Sequence, residues 1–183
     1  MSRKRLTTGI LLVAVVALGS LVWMNRASFT PLDVGSRAPD YTALSLDGDS
    51  IRLSSLDGDV ILLNIWATWC APCVHEMPAL QRLHEDLAGD GLRVVAVSVD
   101  APAGVLGAFG QPGGNVREFR DRFALTFDIL HDPSGRIQHR YQVNGLPATF
   151  IIDRDGRIQR KVLGARDWDV PPLSDEIRAL LEA

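Results

Sequence analysis

The sequence predicts an α/β fold with a mixed sheet, and two apolar patterns carry that prediction. Two near-continuous apolar runs, at 60–66 and 92–99, are typical of strands that are buried on both faces. Between these runs, apolar residues recur at helical spacing, at Val74, Met77, Leu80, Leu83 and Leu87. A strand, a helix and a second strand in this order form a crossover between parallel strands. We therefore expect a βαβ unit at the centre of the fold.

Shorter elements are predicted on both sides of this unit. Apolar residues alternate around Asp47-Gly48, which indicates a hairpin. After the unit we expect a Gly-, Pro- and Ala-rich loop at 101–115, a helix at 116–123, a strand at 126–130, a turn at 132–135, two strands at 148–152 and 158–163, and a closing helix at 173–181. Ser174 is a candidate cap for the closing helix. The order β-α-β, insertion, β-β-α indicates a mixed-sheet α/β fold.

The amino end differs from the rest of the chain in composition. Arg3, Lys4 and Arg5 precede residues 6–24, a stretch without a charged side chain. As a helix this stretch would span roughly 28 Å, close to the hydrocarbon thickness of a bilayer. The basic residues favour a cytoplasmic amino end, with the following domain outside. These features predict a basic tail at 1–5, a single-pass signal anchor at 6–24, a linker at 25–36 and one domain at 37–183.

A cleaved signal peptide is the alternative interpretation of the same segment. Residues 17–19 offer small side chains for a signal peptidase, but the apolar run continues beyond them to Met24. A signal peptide's apolar region is typically about 7–15 residues long, so we favour the uncleaved anchor over a soluble periplasmic domain. Either outcome exports the domain to a compartment in which a disulfide persists.

The charge of the exported part argues against a nucleic-acid partner. Without the three basic residues at the start, 16 lysines and arginines remain against 22 acidic residues, a net charge of −6. That part of the sequence shows no basic run or interleaving of basic and aromatic residues that would suggest nucleic-acid binding. We therefore expect no nucleic-acid binding.

Both cysteines of the chain lie in one short motif, W-A-T-W-C-A-P-C at 66–73. The motif joins the end of the first buried strand to the start of the helix. Two thiols separated by two residues can close and reopen a disulfide, and so exchange two electrons with another disulfide. Because the N-terminus of a helix favours a thiolate, Cys70 is predicted to be the reactive sulfur.

Three other interpretations of the two cysteines are disfavoured. A zinc site would need further ligands, but there is no second CxxC, and the four histidines show no metal-ligand spacing. Haem attachment requires histidine directly after the second cysteine, where Val74 stands. A purely structural disulfide closing so short a loop would constrain the unfolded chain little. We expect a redox-active disulfide and neither a metal nor an organic cofactor.

Further motifs follow the CxxC pair: Glu76-x-Pro78, and V-x-G-x-P-x-T-F-x-I-D at 143–153. Together with W-A-x-W-C-x-P-C, they resemble the thioredoxin-like thiol–disulfide oxidoreductases of the membrane-anchored TlpA/ResA type, relatives of cytochrome c maturation proteins. The resemblance covers about residues 35–183. It implies a thioredoxin fold with an N-terminal hairpin extension and a central insertion.

The resemblance also implies roles for individual residues. Pro147 is expected to be a cis-proline facing the CxxC motif, with the backbone of Leu146 pairing with the extended chain of a substrate. The family has an acid at the position of Glu76, where it tunes or deprotonates the buried cysteine. Classical thioredoxins carry a buried Asp at the strand position held here by Asn64, and an amide cannot take up a proton. Glu76 is therefore the candidate general base.

The remaining candidate site residues flank the reactive cysteine. Trp69, next to Cys70, is a candidate surface contact for a substrate. Pro72, between the two cysteines, is assigned to the same substrate-binding group. In the expected mechanism Cys70 attacks a target disulfide and Cys73, with help from Glu76, resolves the mixed disulfide.

The leading hypothesis is a disulfide reductase that acts on protein disulfides, with apocytochrome c as an expected target and a membrane electron donor that re-reduces it. A thiol oxidant differs only in redox potential, which the sequence leaves open. A peroxiredoxin-type peroxidase is a second alternative, although Ala67 and Leu63 stand where that family has Thr and Pro. A metallochaperone holding copper between Cys70 and Cys73 is a third. The loop at 101–115 is either a partner-reading lid or a tolerated insertion.

Overall fold

The computed structural model describes residues 11–20, 32–56, 59–107 and 110–183. Residues 11–20 are helical and are called α1. Over the described ranges no helix is long and apolar enough to cross a membrane. The predicted tail, parts of the predicted anchor and most of the predicted linker lie outside the described residues, so these assignments stay predictions.

A seven-stranded mixed sheet organises the unit that begins at Asp33. Its strands are β1 (Thr42–Ser45), β2 (Ser50–Arg52), β3 (Val60–Trp66), β4 (Leu92–Ser98), β5 (Asp128–His131), β6 (Ala148–Ile152) and β7 (Ile158–Leu163). Their order across the sheet is β2-β1-β5-β4-β3-β6-β7. Strands β3, β4 and β5 are parallel, whereas β1 and β6 run antiparallel to their neighbours. The predicted mixed-sheet α/β fold is confirmed.

In the described part of the chain, four α-helices accompany the sheet: α2 (Ala71–Leu87), α3 (Val116–Arg122), α4 (Arg136–Arg140) and α5 (Leu173–Leu181). Helix α2 is the crossover between the parallel strands β3 and β4. It buries one apolar stripe, and Met77, Leu80, Leu83 and Leu87 are each at most 1% exposed. Every residue of β3 is buried because β4 and β6 cover its two edges and packed side chains cover its faces.

Most predicted elements occur at the predicted positions. The strands at 60–66, 148–152 and 158–163 and the helix at 173–181 match the structure in both bounds. The predicted hairpin around Asp47-Gly48 is formed by β1 and β2, with Ala43 opposite Ile51. These elements have strong local patterns, which explains why the sequence alone locates them.

The predicted start of β5 is wrong, and the physical reason is a contact with α2. Thr126 was expected to begin this strand, yet β5 begins at Asp128. The side chain of Gln81 on α2 binds both polar groups of Thr126: its Oε1 accepts from the Thr126 N–H at 2.9 Å, and its Nε2 donates to Thr126 Oγ1 at 2.7 Å. Thr126 is therefore hydrogen-bonded to a helix rather than to a neighbouring strand.

One helix is unpredicted and one predicted helix cap is wrong. The predicted turn at 132–135 is present, and the short helix α4 follows it, with the N–H of Ile137 donating back to the Asp132 carboxylate at 2.8 Å. Ser174 does not cap α5. The N-cap residue is Pro172, whose side chain has no hydroxyl, and Ser174 lies inside the first turn with its N–H donating to the carbonyl of Val170 at 3.3 Å.

The described residues of the loop at 101–115 close on themselves as a narrow hairpin. The N–H of Gly107 donates to the carbonyl of Gln111 at 2.8 Å, and the N–H of Gly113 donates to the carbonyl of Val105 at 2.8 Å. Residues 108 and 109 lie outside the described part of the chain. These internal bonds give the loop a defined shape.

A buried aspartate connects the base of this loop to the turn between β3 and α2, which carries Cys70. Asp100 is fully buried and accepts hydrogen bonds from the Thr68 N–H at 2.9 Å, the Thr68 hydroxyl at 2.6 Å and the Ser98 hydroxyl at 2.7 Å. Gly114 packs directly on this cluster, since a Cβ atom there would lie 1.9 Å from Thr68 Oγ1 and 2.6 Å from Asp100 Oδ1. The cluster fixes Thr68, two residues before Cys70.

We expect Gly114→Ala to destabilise the protein by about 1–3 kcal/mol, because the added methyl group overpacks the cluster of Thr68 and Asp100. Urea unfolding measures the change. Gly89→Ala is the matched control, since a Cβ at Gly89 would meet no atom within 4 Å. The control is expected to stay within about 0.5 kcal/mol of the parent. Equal stabilities for the two variants would contradict the close packing at Gly114.

Candidate redox site

The reactive turn lies where β3 ends and α2 begins. Trp66 ends the strand, and Cys70 is the N-cap residue of the helix. The Sγ atom of Cys70 accepts the backbone N–H of Cys73 at 3.3 Å. The two cysteines form a disulfide, with their Cα atoms 5.2 Å apart. The N-terminal amide groups of α2 therefore point towards Cys70, which stabilises negative charge on its sulfur in the reduced protein.

The two sulfurs lie in different surroundings. Cys70 is 6% exposed and lines a groove of about 870 Å³, whereas Cys73 is fully buried. Trp69 and Pro72 line the same groove, and both are exposed to solvent. An incoming sulfur atom therefore meets Cys70 before it meets Cys73.

The opposite wall of the groove is formed by the turn before β6. The Leu146–Pro147 peptide bond is cis, as the family resemblance predicts. Leu146 lines the groove, while Pro147 is buried and its carbonyl accepts the N–H of Gly164 at 2.9 Å. Four of the predicted site residues, Trp69, Cys70, Pro72 and Leu146, are thus brought to one surface.

The loop at 101–115 contributes a third wall to this groove. Ala101, Gly107 and Gln111 line it. Among the described residues that line the groove there is no Asp, Glu, Lys or Arg. The described lining of the groove therefore carries no permanently charged side chain.

Glu76 lies on the interior side of the turn, one helical turn after Cys73. It is 1% exposed, and three donors converge on its carboxylate. Asn64 Nδ2 donates to Oε1 at 2.8 Å. Trp168 Nε1 donates to Oε2 at 3.0 Å, and the backbone N–H of Arg166 donates to the same oxygen at 3.2 Å. The carboxylate is thus held by strand β3 and by the segment that follows β7.

Burial and hydrogen bonding act on Glu76 in opposite directions. Removal from water disfavours the charged carboxylate and raises its pKa above the ordinary value of 4.5. The donors Trp168, Asn64 and Arg166 favour the charged form and lower the pKa by part of that amount. Because burial is the larger effect, the pKa of Glu76 stays raised, which moves this carboxyl towards the range useful for proton transfer at neutral pH.

Comparisons with known proteins agree with this site. The sequence profile of the AhpC/TSA family matches residues 34–161. The thiol-disulfide oxidoreductase ResA of Geobacillus thermodenitrificans is 36% identical over 163 residues, which cover 88% of each chain. The chain belongs to the AhpC/TSA family. Another relative, the ResA of Bacillus subtilis, is 32% identical over 168 residues, or 90% of this chain and 88% of its own.

A solved structure shows the same fold. The crystal structure described as a thiol:disulfide interchange protein DsbE from Chlorobium tepidum superposes with a TM-score of 0.71 at 32% identity, covering 82% of this chain and 99% of that one. The chain with the Cys70–Cys73 pair is thus a thioredoxin-like thiol–disulfide oxidoreductase of the ResA/DsbE type, and these two residues are its Cys-x-x-Cys pair.

Sequence reasoning missed two residues that shape the site. Asp100 directly follows a buried strand, a position at which a polar side chain often serves a site, and that signal was available. Trp168 lies in a polar stretch beyond the last strand, and its partner Glu76 is 92 positions away. No local pattern joins two residues at that separation, so this contact is visible only in the folded chain.

The buried acid makes the stability of the oxidised protein depend on pH. Because the folded pKa of Glu76 is raised above 4.5, the unfolded state loses this proton first as the pH rises. The unfolded state then binds fewer protons than the folded state, so the free energy of unfolding falls as the pH rises from 4.5 through the folded pKa. Glu76→Gln is expected to remove this fall.

Urea unfolding of the oxidised protein at a series of pH values measures that slope. Glu118→Gln, at an exposed glutamate, is the control for the substitution itself. If the free energy of unfolding changes with pH equally in Glu76→Gln, Glu118→Gln and the parent, Glu76 does not cause the fall in stability.

Proposed function

We propose that this protein is an extracytoplasmic protein-disulfide reductase that exchanges dithiol for disulfide through Cys70 and Cys73 and uses no metal or organic cofactor. One observation carries the proposal. The pair has an outer sulfur on a groove and an inner sulfur on the helix that also carries a buried, hydrogen-bonded acid. The attacking thiol must be accessible to a protein disulfide, as Cys70 is at the groove. The resolving thiol needs a nearby base to remove its proton, as Cys73 has in the proposed role of Glu76.

The proposed reaction has two displacement steps. The Cys70 thiolate attacks one sulfur of a target disulfide, a Cys70–target bond forms, and the other target sulfur leaves as a thiolate. Glu76 then accepts the Cys73 proton, and the Cys73 thiolate attacks Cys70, which releases the second target sulfur. The target gains two electrons, and the protein is left with the Cys70–Cys73 disulfide. A dithiol donor in the membrane must return those electrons.

The groove also suggests which disulfides are accepted. Trp69, Pro72 and Leu146 offer an apolar surface beside Cys70, and the described lining carries no permanent charge. A substrate segment that is extended and uncharged next to its cysteine would lose little hydration on entering this surface. Oxidised apocytochrome c, whose haem-binding cysteines lie in a short unfolded segment, is a proposed target of this kind.

The location of the reaction rests on the amino end of the chain. We propose that residues 6–24 anchor the protein once in the membrane and hold the catalytic domain on the periplasmic side. The basic residues Arg3, Lys4 and Arg5 and the uncharged stretch that follows them support this orientation. Release by signal peptidase would leave the same domain soluble in the periplasm.

Cysteine variants test the order of the two thiols. Cys73→Ala is expected to accumulate a mixed disulfide with a peptide disulfide, because the resolving thiol is missing. Cys70→Ala is expected to form none, because Cys73 is buried. Mass spectrometry under non-reducing conditions detects the adduct. Adduct formation by Cys70→Ala at the rate of Cys73→Ala would contradict the assignment.

Equilibration with glutathione tests the direction of electron flow. A reductase needs a reduction potential near that of thioredoxin, about −270 mV, whereas a thiol oxidant such as DsbA lies near −120 mV. We expect the lower value. A potential close to −120 mV would replace the reductase proposal with that of an oxidant.

Glu76→Gln is expected to slow resolution of the mixed disulfide by about 10²-fold, because an amide cannot accept the Cys73 proton. Formation of the mixed disulfide by Cys70 should keep its rate. Stopped-flow thiol exchange separates the two phases. Glu85→Gln on the exposed side of α2 is the matched control. Equal resolution rates in Glu76→Gln and the parent would refute a general-base role.

A further inference from the structure

We propose that Trp168 is a positioning residue that holds the Glu76 carboxylate in place for proton transfer from Cys73. The inference rests on the proposed function, in which Glu76 accepts that proton. Trp168 is fully buried, and its indole N–H lies 3.0 Å from Glu76 Oε2. It comes from the segment after β7, which is separate in sequence from both the CxxC motif and β3.

The geometry divides the two oxygens of the carboxylate between different partners. Oε2 accepts from Trp168 and from the backbone of Arg166, and both of these groups can only donate. Oε1 accepts from Asn64 Nδ2, whose amide group also carries an acceptor oxygen. A proton on Oε2 would confront two donors, so the proton is directed to Oε1.

The Asn64 side chain can follow that proton. Its Oδ1 atom is buried and has no hydrogen-bond partner among the described residues, while its Nδ2 also donates to the Thr149 hydroxyl at 2.9 Å. Rotation of the amide would present Oδ1 to a protonated Oε1, and the Thr149 hydroxyl can then donate instead of accept. Trp168 anchors one oxygen while Asn64 accommodates either protonation state of the other.

A second buried tryptophan shows that burial alone does not explain this bond. Trp66 is also fully buried, and it packs against Phe119 with ring centroids 4.8 Å apart. Its indole N–H has no hydrogen-bond partner among the described residues. Packing and hydrogen bonding are therefore separable in this core, and the bond from Trp168 to Glu76 is a specific contact.

Trp168→Phe is expected to move the acid limb of the pH–rate profile for mixed-disulfide resolution to higher pH. The donor favours the charged carboxylate, so its loss raises the pKa of Glu76 further. A hydrogen bond to a charged group is worth enough to shift the limb by about one pH unit or more. The groups facing Glu76 that could also contribute are Cys73 and the Arg166 side chain, and both stay in the variant. Formation of the mixed disulfide should be unchanged.

Trp66→Phe is the matched control, because it removes an indole N–H of equal burial that bonds no described residue. Its acid limb should coincide with that of the parent.

In the Glu76→Gln background, Trp168→Phe should have no further effect on resolution, whereas a purely structural role would slow both backgrounds equally. Site-specific replacement of Trp168 by benzothienylalanine keeps the ring shape without the N–H, and it should shift the acid limb by the same amount. This variant replaces Trp168→Phe in the test if the phenyl ring disturbs folding.

Two results would overturn the inference. One is an unmoved acid limb in both Trp168 variants, and the other is an equal slowing by Trp168→Phe with and without Glu76. Failure of the proposed function gives a different result, because the parent and the Trp66→Phe control would then form no mixed disulfide at all. Infrared detection of the carboxylate in the oxidised protein follows the Glu76 titration without any exchange reaction, and it should show the same upward shift in Trp168→Phe.

Discussion

The confinement of β3 between β4 and β6 is the constraint on which the site depends. Both of its edges are hydrogen-bonded and its side chains are buried on both faces, so the end of the strand has little freedom to move. That end carries the turn from Trp66 to Cys70. The same strand carries Asn64, opposite Thr149 on β6, and so also supplies a donor to Glu76. One strand therefore aligns the reactive turn and the interior acid.

Desolvation and hydrogen bonding act in opposite directions on the buried carboxyl group of Glu76. A carboxylate buried as deeply as Glu76 would be costly without donors, and a fully compensated one would be too weak a base to take a thiol proton. Asn64, Trp168 and the Arg166 backbone supply enough hydrogen bonding to keep the group inside the core. They leave part of the desolvation cost in place, which is the physical origin of the raised pKa of Glu76.

The parts of the fold that could be predicted from sequence are those with local causes. The apolar run at 60–66 and the helical spacing after Cys73 follow from which residues are near neighbours along the chain, and both elements occur as predicted. The start of β5 could not be predicted, because it depends on Gln81, 45 positions before Thr126. The cap at Ser174 failed for a related reason, since the chain enters α5 through Pro172 and leaves the serine inside the first turn.

The same distinction applies to the site. Cys73 and Glu76 are one helical turn apart, so their spacing predicted a shared helix face, whereas the role of Glu76 came from the family resemblance. Pro147 could be placed at the site only through the family resemblance. Trp168 was missed because its contact with Glu76 exists only in the folded chain, whereas Asp100 was missed although its position directly after a buried strand was a usable signal.

The groove and the buried carboxylate of Glu76 consequently lie on two different sides of the CxxC turn. The groove that Cys70 faces is lined from the CxxC turn, the α4 region, the cis-proline turn and the loop at 101–115. Among the described residues, none of those that donate a hydrogen bond to Glu76 lines the groove. Under the proposed function, changes in the groove would therefore alter which partner is accepted without altering the acid proposed to serve Cys73. The loop, fastened at its base by Asp100, is placed where such changes would act.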